Sequence, residues 1–466
     1  MPPKALPGFR DFYPEQLAER SYIFETWRQV VRRYAFLEYD GPPLEPLDLY
    51  TAKSGDEIVG QLYNFEDKGG RQVAMRPEMT PTFARMVAAK AQALRKPVKW
   101  FSIPQLFRYE RQQKGRLREH YQLNVDIVGE ADVLADAELL SVAVEIMRAL
   151  GLSATDVRAR VSDRRLLNAL LDSIGIEQSE LPVVYAVLDK LDRQPTDVST
   201  EKLAAAGVPP LGIKAILELR DMTFEHVAHD YGHYEQVKPH VERFSEYLKY
   251  ADALGIADWI KFDLTIVRGL AYYTGIVFEL FDAVGEFRAI CGGGRYDNLL
   301  SSLGDIDLPA LGFGMGDVVL GELLRERGKM PAFQVTDDRY FIVAGEGVKA
   351  RDVLKVASAL RRHLPSSSVS YGLNRAAIEQ RKPAKQADDA RGHGANLLLN
   401  MIRNPDRLHI SVSQFELRSE RTVEADHVDS LISDSAGAAA ERVAAMHIRS
   451  LAHALLGKES SERLER

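Results

Sequence analysis

Three stretches of this chain concentrate side chains able to act on a charged small molecule. The first follows Phe107 and reads FRYERQQKGRLREHYQLNVDIVG, to Gly129. Its loop carries Arg111, Lys114, Arg116 and Arg118, with Gly115 to ease the bend. Cations spaced so closely suit a polyanion, although a solvated basic hairpin tip has the same composition. Beyond the loop, Gln122 and Asp126 share one face of a strand, roughly 13 Å apart. The second stretch is RPEMTPTFAR (76–85), where the Glu78 carboxylate and the Thr80 hydroxyl suit an ammonium group. Thr80 also suits a helix cap. The third pairs TIVRGLAYYTGIVFEL (265–280) with CGGGRYDNLL (291–300). Arg268, Tyr272 and Tyr273 offer a fixed cation and phenolic donors, or two tyrosines packed in a core hairpin. Gly292, Gly293 and Gly294 allow the backbone to approach a ligand closely.

The elements that must position these groups follow from hydrophobic period. Val98–Phe101 reads as one strand. Tyr121, Leu123, Val125 and Ile127, alternating with Gln122, Asn124 and Asp126, read as the next. Ile23, Trp27, Val30, Val31 and Tyr34 form the apolar face of a helix of about sixteen residues. GPPLEPLDLY holds three prolines and so belongs at an edge or an interface. Tyr63–Asp67 and Gln72–Met75 predict a hairpin around Lys68-Gly69-Gly70. Leu139, Val142 and Ile146 mark a helix ending at Gly151. Residues 152–260 read as mostly helical. Within them His226, His229, His233 and His240 lack the cysteine or carboxylate partners of a metal shell, so no metal site is expected. LPALGFGMGDVVLGELL (308–324) predicts a strand, glycines and a helix. The chain has no GxGxxG opening a helix and no Walker GxxxxGK[ST]. Residues 331–337 read as a linker. Residues 338–425 form a βαβαβ pattern in which Pro383 interrupts the second helix, and 426–466 remain as a tail.

With 466 residues, the chain is long enough for two or three domains with cores of their own. The sequence holds one cysteine, Cys291, so internal disulfides and multi-cysteine metal sites are excluded, which suits a reducing cytoplasm. No apolar run reaches spanning length, and none of the blocks of a signal peptide opens the chain. A net charge of −7 argues against unselective nucleic-acid binding but leaves room for a local basic patch.

FRYERQQKGRLREHYQ resembles motif 2 of class II aminoacyl-tRNA synthetases in its histidyl form, RPEMT resembles the family's RPEGT segment, and RGLAYYTG and GGGRYD resemble its two histidine signatures. The resemblance is strong over residues 5–330 and weaker over 338–425. It implies an α+β fold: a class II antiparallel sheet flanked by helices (1–330), a helical insertion at about 170–258, and a C-terminal α/β anticodon-binding domain. It implies Arg108 and Arg268 as catalytic groups on the reacting α-phosphate. A histidine pocket would comprise Glu78, Thr80, Arg108, Gln122, Asp126, Arg268, Tyr272, Tyr273 and Tyr296, and ATP would be held by Arg108, Glu110 and Arg116. ATP as substrate with Mg²⁺, tRNA(His) as acceptor, a cytoplasmic setting and a homodimer through the long helix and proline-bearing strand complete the expectation. Three positions depart from the family. Ala271 replaces an aspartate, Asp126 a glutamate, and Val319 the arginine that in motif 3 binds ATP. Asp317 would moreover set a negative charge at the helix start. The competing expectations are a synthetase-like histidine sensor, such as a regulatory subunit of ATP phosphoribosyltransferase, and a class II enzyme for another amino acid.

Overall fold

The computed structural model describes residues 4–51, 60–110, 117–191, 193–267, 273–285, 287–304, 306–332, 338–404, 407–415, 420–433 and 437–456, with the backbone alone at 302–304. The chain divides into two compact units, Met1–Pro331 and Ala332–Arg466.

The strands of the first unit are β1 (Leu37–Glu38), β2 (Leu44–Pro46), β3 (Tyr63–Glu66), β4 (Gln72–Met75), β5 (Val98–Ser102), β6 (Gln105–Phe107), β7 (Glu119–Val128), β8 (Val157–Asp163), β9 (Ile260–Phe262), β10 (Ile276–Asp282), β11 (Cys291–Arg295) and β12 (Ala310–Gly316). The main sheet has the order β1-β5-β7-β12-β11-β10-β8-β9, with β6 paired to β7. From β5 to β8 every pairing is antiparallel, as expected. The two outermost pairings, β1 with β5 and β8 with β9, are parallel, so the whole sheet is mixed. The stretch 152–260 is mostly helical, as read, but it opens with a strand that was not singled out, β8, which runs beside β10 over seven registered pairs. Its Val157, Ala159 and Val161 alternate with Arg158, Arg160 and Ser162, a period-2 signal hidden by the helices that follow.

One face of this sheet is covered by α1 (Pro14–Arg33), where Ile23, Trp27, Val30 and Val31 are buried as their spacing predicts. The proline-bearing strand β2 is indeed an edge, in a small sheet of order β2-β4-β3. α2 (Thr80–Lys90) places Phe83 and Val87 against Tyr296, Leu300 and Ala310. α3 (Val133–Ala149) begins at Asp132, whose side chain accepts from Leu134 N, and buries Leu139, Val142 and Ile146 in the main core. Each such apolar side chain contributes about 1.5–3 kcal/mol when fully buried. The helices from Arg164–Ser173 to Lys238–Ala253 add Leu166, Leu170 and Phe244 to the same core. Among the described residues no group of His, Cys, Asp and Glu could hold a metal ion. α4 (Asp317–Glu326) follows β12 directly.

The second unit contains β13 (Asp338–Ala344), β14 (Ser367–Ser370), β15 (Leu397–Asn404), β16 (Arg407–Gln414) and β17 (Glu420–Thr422) in the order β14-β13-β15-β16-β17. The first three strands are parallel, as a βαβαβ pattern requires, and β16 and β17 add antiparallel. Pro383 does not interrupt a helix. It opens Pro383–Gly392, where its missing N–H costs nothing, and a separate short helix, Arg375–Glu379, precedes it. The stretch set apart as a tail also contributes structure. Ala425–Ile432 and Ala438–Leu455 are helices whose Val428, Ala445 and Ile448 share the core of Val353, Leu360 and Leu399.

Candidate active site

The open face of the sheet owes its shape to strand register. On β7, Gln122, Asn124 and Asp126 pair with Gly316, Gly314 and Gly312 of β12. The three polar side chains therefore stand beside a strand that offers none. A Cβ at Gly312 would lie inside contact distance of the Asp126 carboxylate, 2.8 Å from Val125 O and 2.9 Å from the Tyr296 hydroxyl. One at Gly314 would meet the Gln122 side chain at 2.7 Å. Of the three glycines on β11, Gly293 and Gly294 do not serve a ligand. A Cβ there would strike the neighbouring strands, at Gly312 O and at Ile276 O. Gly292 faces the cavities.

Two cavities occupy this face. A polar one of about 130 Å³ is lined by Glu78, Thr80, Gln122, Asp126, Tyr273 and Tyr296, with Arg108 at its edge. These are seven of the nine positions expected to hold histidine. The other two, Arg268 and Tyr272, lie outside the described residues, as do Ala271 and Arg116. Thr80 opens α2 without capping it, since the cap position falls on Met79 and no side chain bonds there. Asn124 also lines this cavity. Its place in the Gln122–Asp126 alternation was the signal for it.

The second cavity, about 200 Å³, shares Arg108, Gln122, Gly292 and Gly314 with the first and extends past Glu110, His120 and Arg288 to Val318 and Val319. Arg108 thus borders both. Its Nε donates to Pro77 O at 2.9 Å, and its Nη1 lies 4.0 Å from Glu110 Oε1. His120 is held neutral. Burial and the charges of Arg108 and Arg10 push its imidazole down to about 3. Neither His120 nor Arg288 was singled out from the sequence. His120 lies two residues from Gln122 in the same strand phase, whereas Arg288 lies in a loop without a motif.

Asp317 does not burden the start of α4 as its sequence position suggested. Its Oδ2 accepts from Arg10 Nη1 at 2.9 Å and its Oδ1 from Tyr121 N at 2.9 Å, while Arg10 Nε reaches Glu119 Oε1 at 2.6 Å. Burial raises the Asp317 carboxyl above its usual range and Arg10 draws it back. Its charge is spent inside this cluster.

Asp126 is 4% exposed and accepts from the Tyr296 hydroxyl. Burial pushes its carboxyl up to about 7, with that hydroxyl holding it back. The folded protein therefore binds this proton more tightly than the unfolded chain, where an aspartate titrates near about 3.9. Stability from this group is full below about pH 4 and is lost as pH climbs to about 7. Asp126→Asn is expected to melt higher than the parent by a margin that grows across that window and then levels off. Thermal melts of both proteins without substrates check it, and equal pH slopes would refute the assignment.

The antiparallel strands, the β6–β7 hairpin and the glycine strand that runs into α4 define the catalytic unit of a class II aminoacyl-tRNA synthetase. Residues 8–316 match the profile of the family described as histidyl-tRNA synthetase. A histidine–tRNA ligase of Opitutus terrae is 40% identical over 443 residues, which cover 92% of this chain and 98% of that protein. The chain belongs to the histidyl-tRNA synthetase family. A solved histidyl-tRNA synthetase from Nostoc sp. PCC 7120 shares its fold, with TM-score 0.75 at 22% identity over 92% of this chain and 98% of that one. A structure described as an ATP phosphoribosyltransferase regulatory subunit/histidyl-tRNA synthetase from Bacillus halodurans C overlays with TM-score 0.68 at 20% identity, covering 85% of this chain and 97% of that one. Fold alone therefore does not separate a ligase from a sensor.

Proposed function

We propose that this protein is a histidine–tRNA ligase, which joins histidine to ATP as histidyl-adenylate with release of pyrophosphate and then transfers the histidyl group to tRNA(His). The observation that carries this reading is the pair of adjoining cavities with Arg108 on their shared border. A carboxylate in the smaller cavity and an α-phosphate at the edge of the larger one would meet beside that guanidinium. Proximity supplies much of the rate in such a reaction. A fixed cation stabilises the charge that builds on the pentavalent phosphorus.

In the smaller cavity Glu78, Thr80 and Gln122 suit the α-ammonium group, and Asp126 with Tyr273 suits the two imidazole nitrogens, one at each side. Arg268 is assigned to the carboxylate and α-phosphate. Mg²⁺ would accompany ATP and offset part of its charge. Glu110 supplies one hard oxygen on the cavity wall, which fits an ion that keeps mostly water and phosphate ligands. Arg116 is expected among the cations that hold ATP despite Val319. The second unit is assigned to anticodon binding, α1 and β2 to a homodimer contact, and the protein to the cytoplasm. No helix among the described residues is long and apolar enough to cross a membrane.

Histidine alone among the standard amino acids is expected to drive exchange of labelled pyrophosphate into ATP. Histidine binding without exchange would favour the sensor, and exchange with another amino acid would refute the specificity.

A further inference from the structure

The larger cavity must accept a nucleotide carrying about four negative charges, yet its described lining is poor in positive ones. Arg108 and Glu110 cancel, His120 is neutral, and Val318 and Val319 contribute none. The start of α4 adds the partial charge of its backbone N–H groups, with Asp317 compensated by Arg10. The other cation in the described lining is Arg288. Strand register explains how it gets there. Cys291 pairs with Met315, and Gly316 N donates to Ile290 O at 3.4 Å. Beyond these contacts the chain leaves the ladder on both sides, Arg288 in the β10–β11 loop and Val318 and Val319 in the first turn of α4, and all three line the same cavity. Its exposed side chain lines the larger cavity and not the smaller.

We propose that Arg288 binds the β- and γ-phosphates of ATP, supplying from the β10–β11 loop the cation that position 319 lacks. Arg108, on the border of both cavities, is placed for the α-phosphate. An arginine confined to the outer cavity falls to the phosphates beyond it, where its planar fork can take two oxygens at once. This assignment rests on the ligase reading and adds a residue to it.

The test uses the full-length chain with Arg288→Ala, with Arg288→Ala/Val319→Arg and without substitution. In pyrophosphate exchange at saturating histidine, Arg288→Ala is expected to raise KM for ATP by about tenfold or more, the effect of one lost charged contact. Histidine affinity by calorimetry, and inhibition by AMP, which lacks the two outer phosphates, should stay within about twofold of the parent. Adding Val319→Arg to Arg288→Ala should recover part of the ATP affinity, a rescue that a purely structural role for Arg288 would not produce. An unchanged KM for ATP overturns the proposal. So does AMP inhibition weakened as much as ATP use, which would move Arg288 to the base, ribose or α-phosphate. A parent without exchange would count against the ligase reading instead. Calorimetric titration with a non-hydrolysable ATP analogue would then still decide whether Arg288 holds the nucleotide.

Discussion

Arg108→Ala is expected to slow histidyl-adenylate formation by about 10²- to 10³-fold, close to 3–4 kcal/mol of transition-state stabilisation, while the protein stays folded. The size follows from where the side chain sits. Arg108 ends the β6–β7 ladder, its backbone N–H donating to Arg118 O at 3.0 Å, and its Nε is tethered to Pro77 O. Two fixed points hold the guanidinium in place before substrate arrives, so little reorganisation is spent at the moment of reaction. Arg108→Lys keeps the charge but loses both the fork and the Nε tether, and should recover only part of the rate. Single-turnover adenylate formation with saturating histidine and ATP is the measurement. A rate for Arg108→Ala within about tenfold of the parent would remove Arg108 from the reaction. The same loss is expected for Arg268→Ala.

The legible parts of this chain were those in which one short segment carries both the period and the chemistry. In β7 the alternation of Leu123, Val125 and Ile127 with Gln122, Asn124 and Asp126 declares the strand and its two faces together. In α1 the apolar spacing predicts the buried Ile23, Trp27, Val30 and Val31, while Tyr34, the last of the stripe, falls at the C-cap and is half-buried. What stayed hidden depends on register between segments distant in sequence. β8 gains its meaning only beside β10, more than a hundred residues later in the chain. The glycines of β12 read as flexibility in one dimension but become cleared space once Gly312 is set against Asp126. Asp317 looked like a misplaced charge because Arg10, its partner, lies 307 positions away. Pro383 misled for a local reason, since a proline that stops one helix and one that starts another differ only in where the preceding turn falls.

Arg295 shows the same lesson in energetic form, and replacing it should cost about 3–5 kcal/mol of stability. It lies within GGGRYD, yet it is fully buried and lines neither cavity. Its Nε and Nη2 hold the Asp136 carboxylate, the latter at 2.6 Å, and its Nη1 and Nη2 donate to Glu130 O at 2.8 Å and Asp132 O at 3.2 Å. The end of β11 is thereby fastened to the turn that starts α3, and the next residue, Tyr296, is brought to Asp126. Arg295→Met would leave Asp136 buried beside Arg243 alone, at 3.7 Å. Breaking a buried pair from one side costs about 3–5 kcal/mol. Asp136 already sits raised, to about 6, because burial outweighs its arginines. Losing one of them moves it higher, so the variant should recover part of its stability as the pH is lowered and Asp136 takes up a proton. Arg295→Met/Asp136→Leu removes the stranded charge altogether and should regain most of the loss, since well-packed apolar replacements of buried pairs are often neutral or better. Urea midpoints of the parent and both variants test this ordering. If Arg295→Met unfolds within about 1 kcal/mol of the parent, the anchor is worth no more than an ordinary hydrogen bond. Calorimetry on the stable double variant then asks the functional question. Weakened histidine binding there, with stability regained, would mean that Arg295 acts on the substrate through Tyr296 and Asp126 rather than through the strength of the fold.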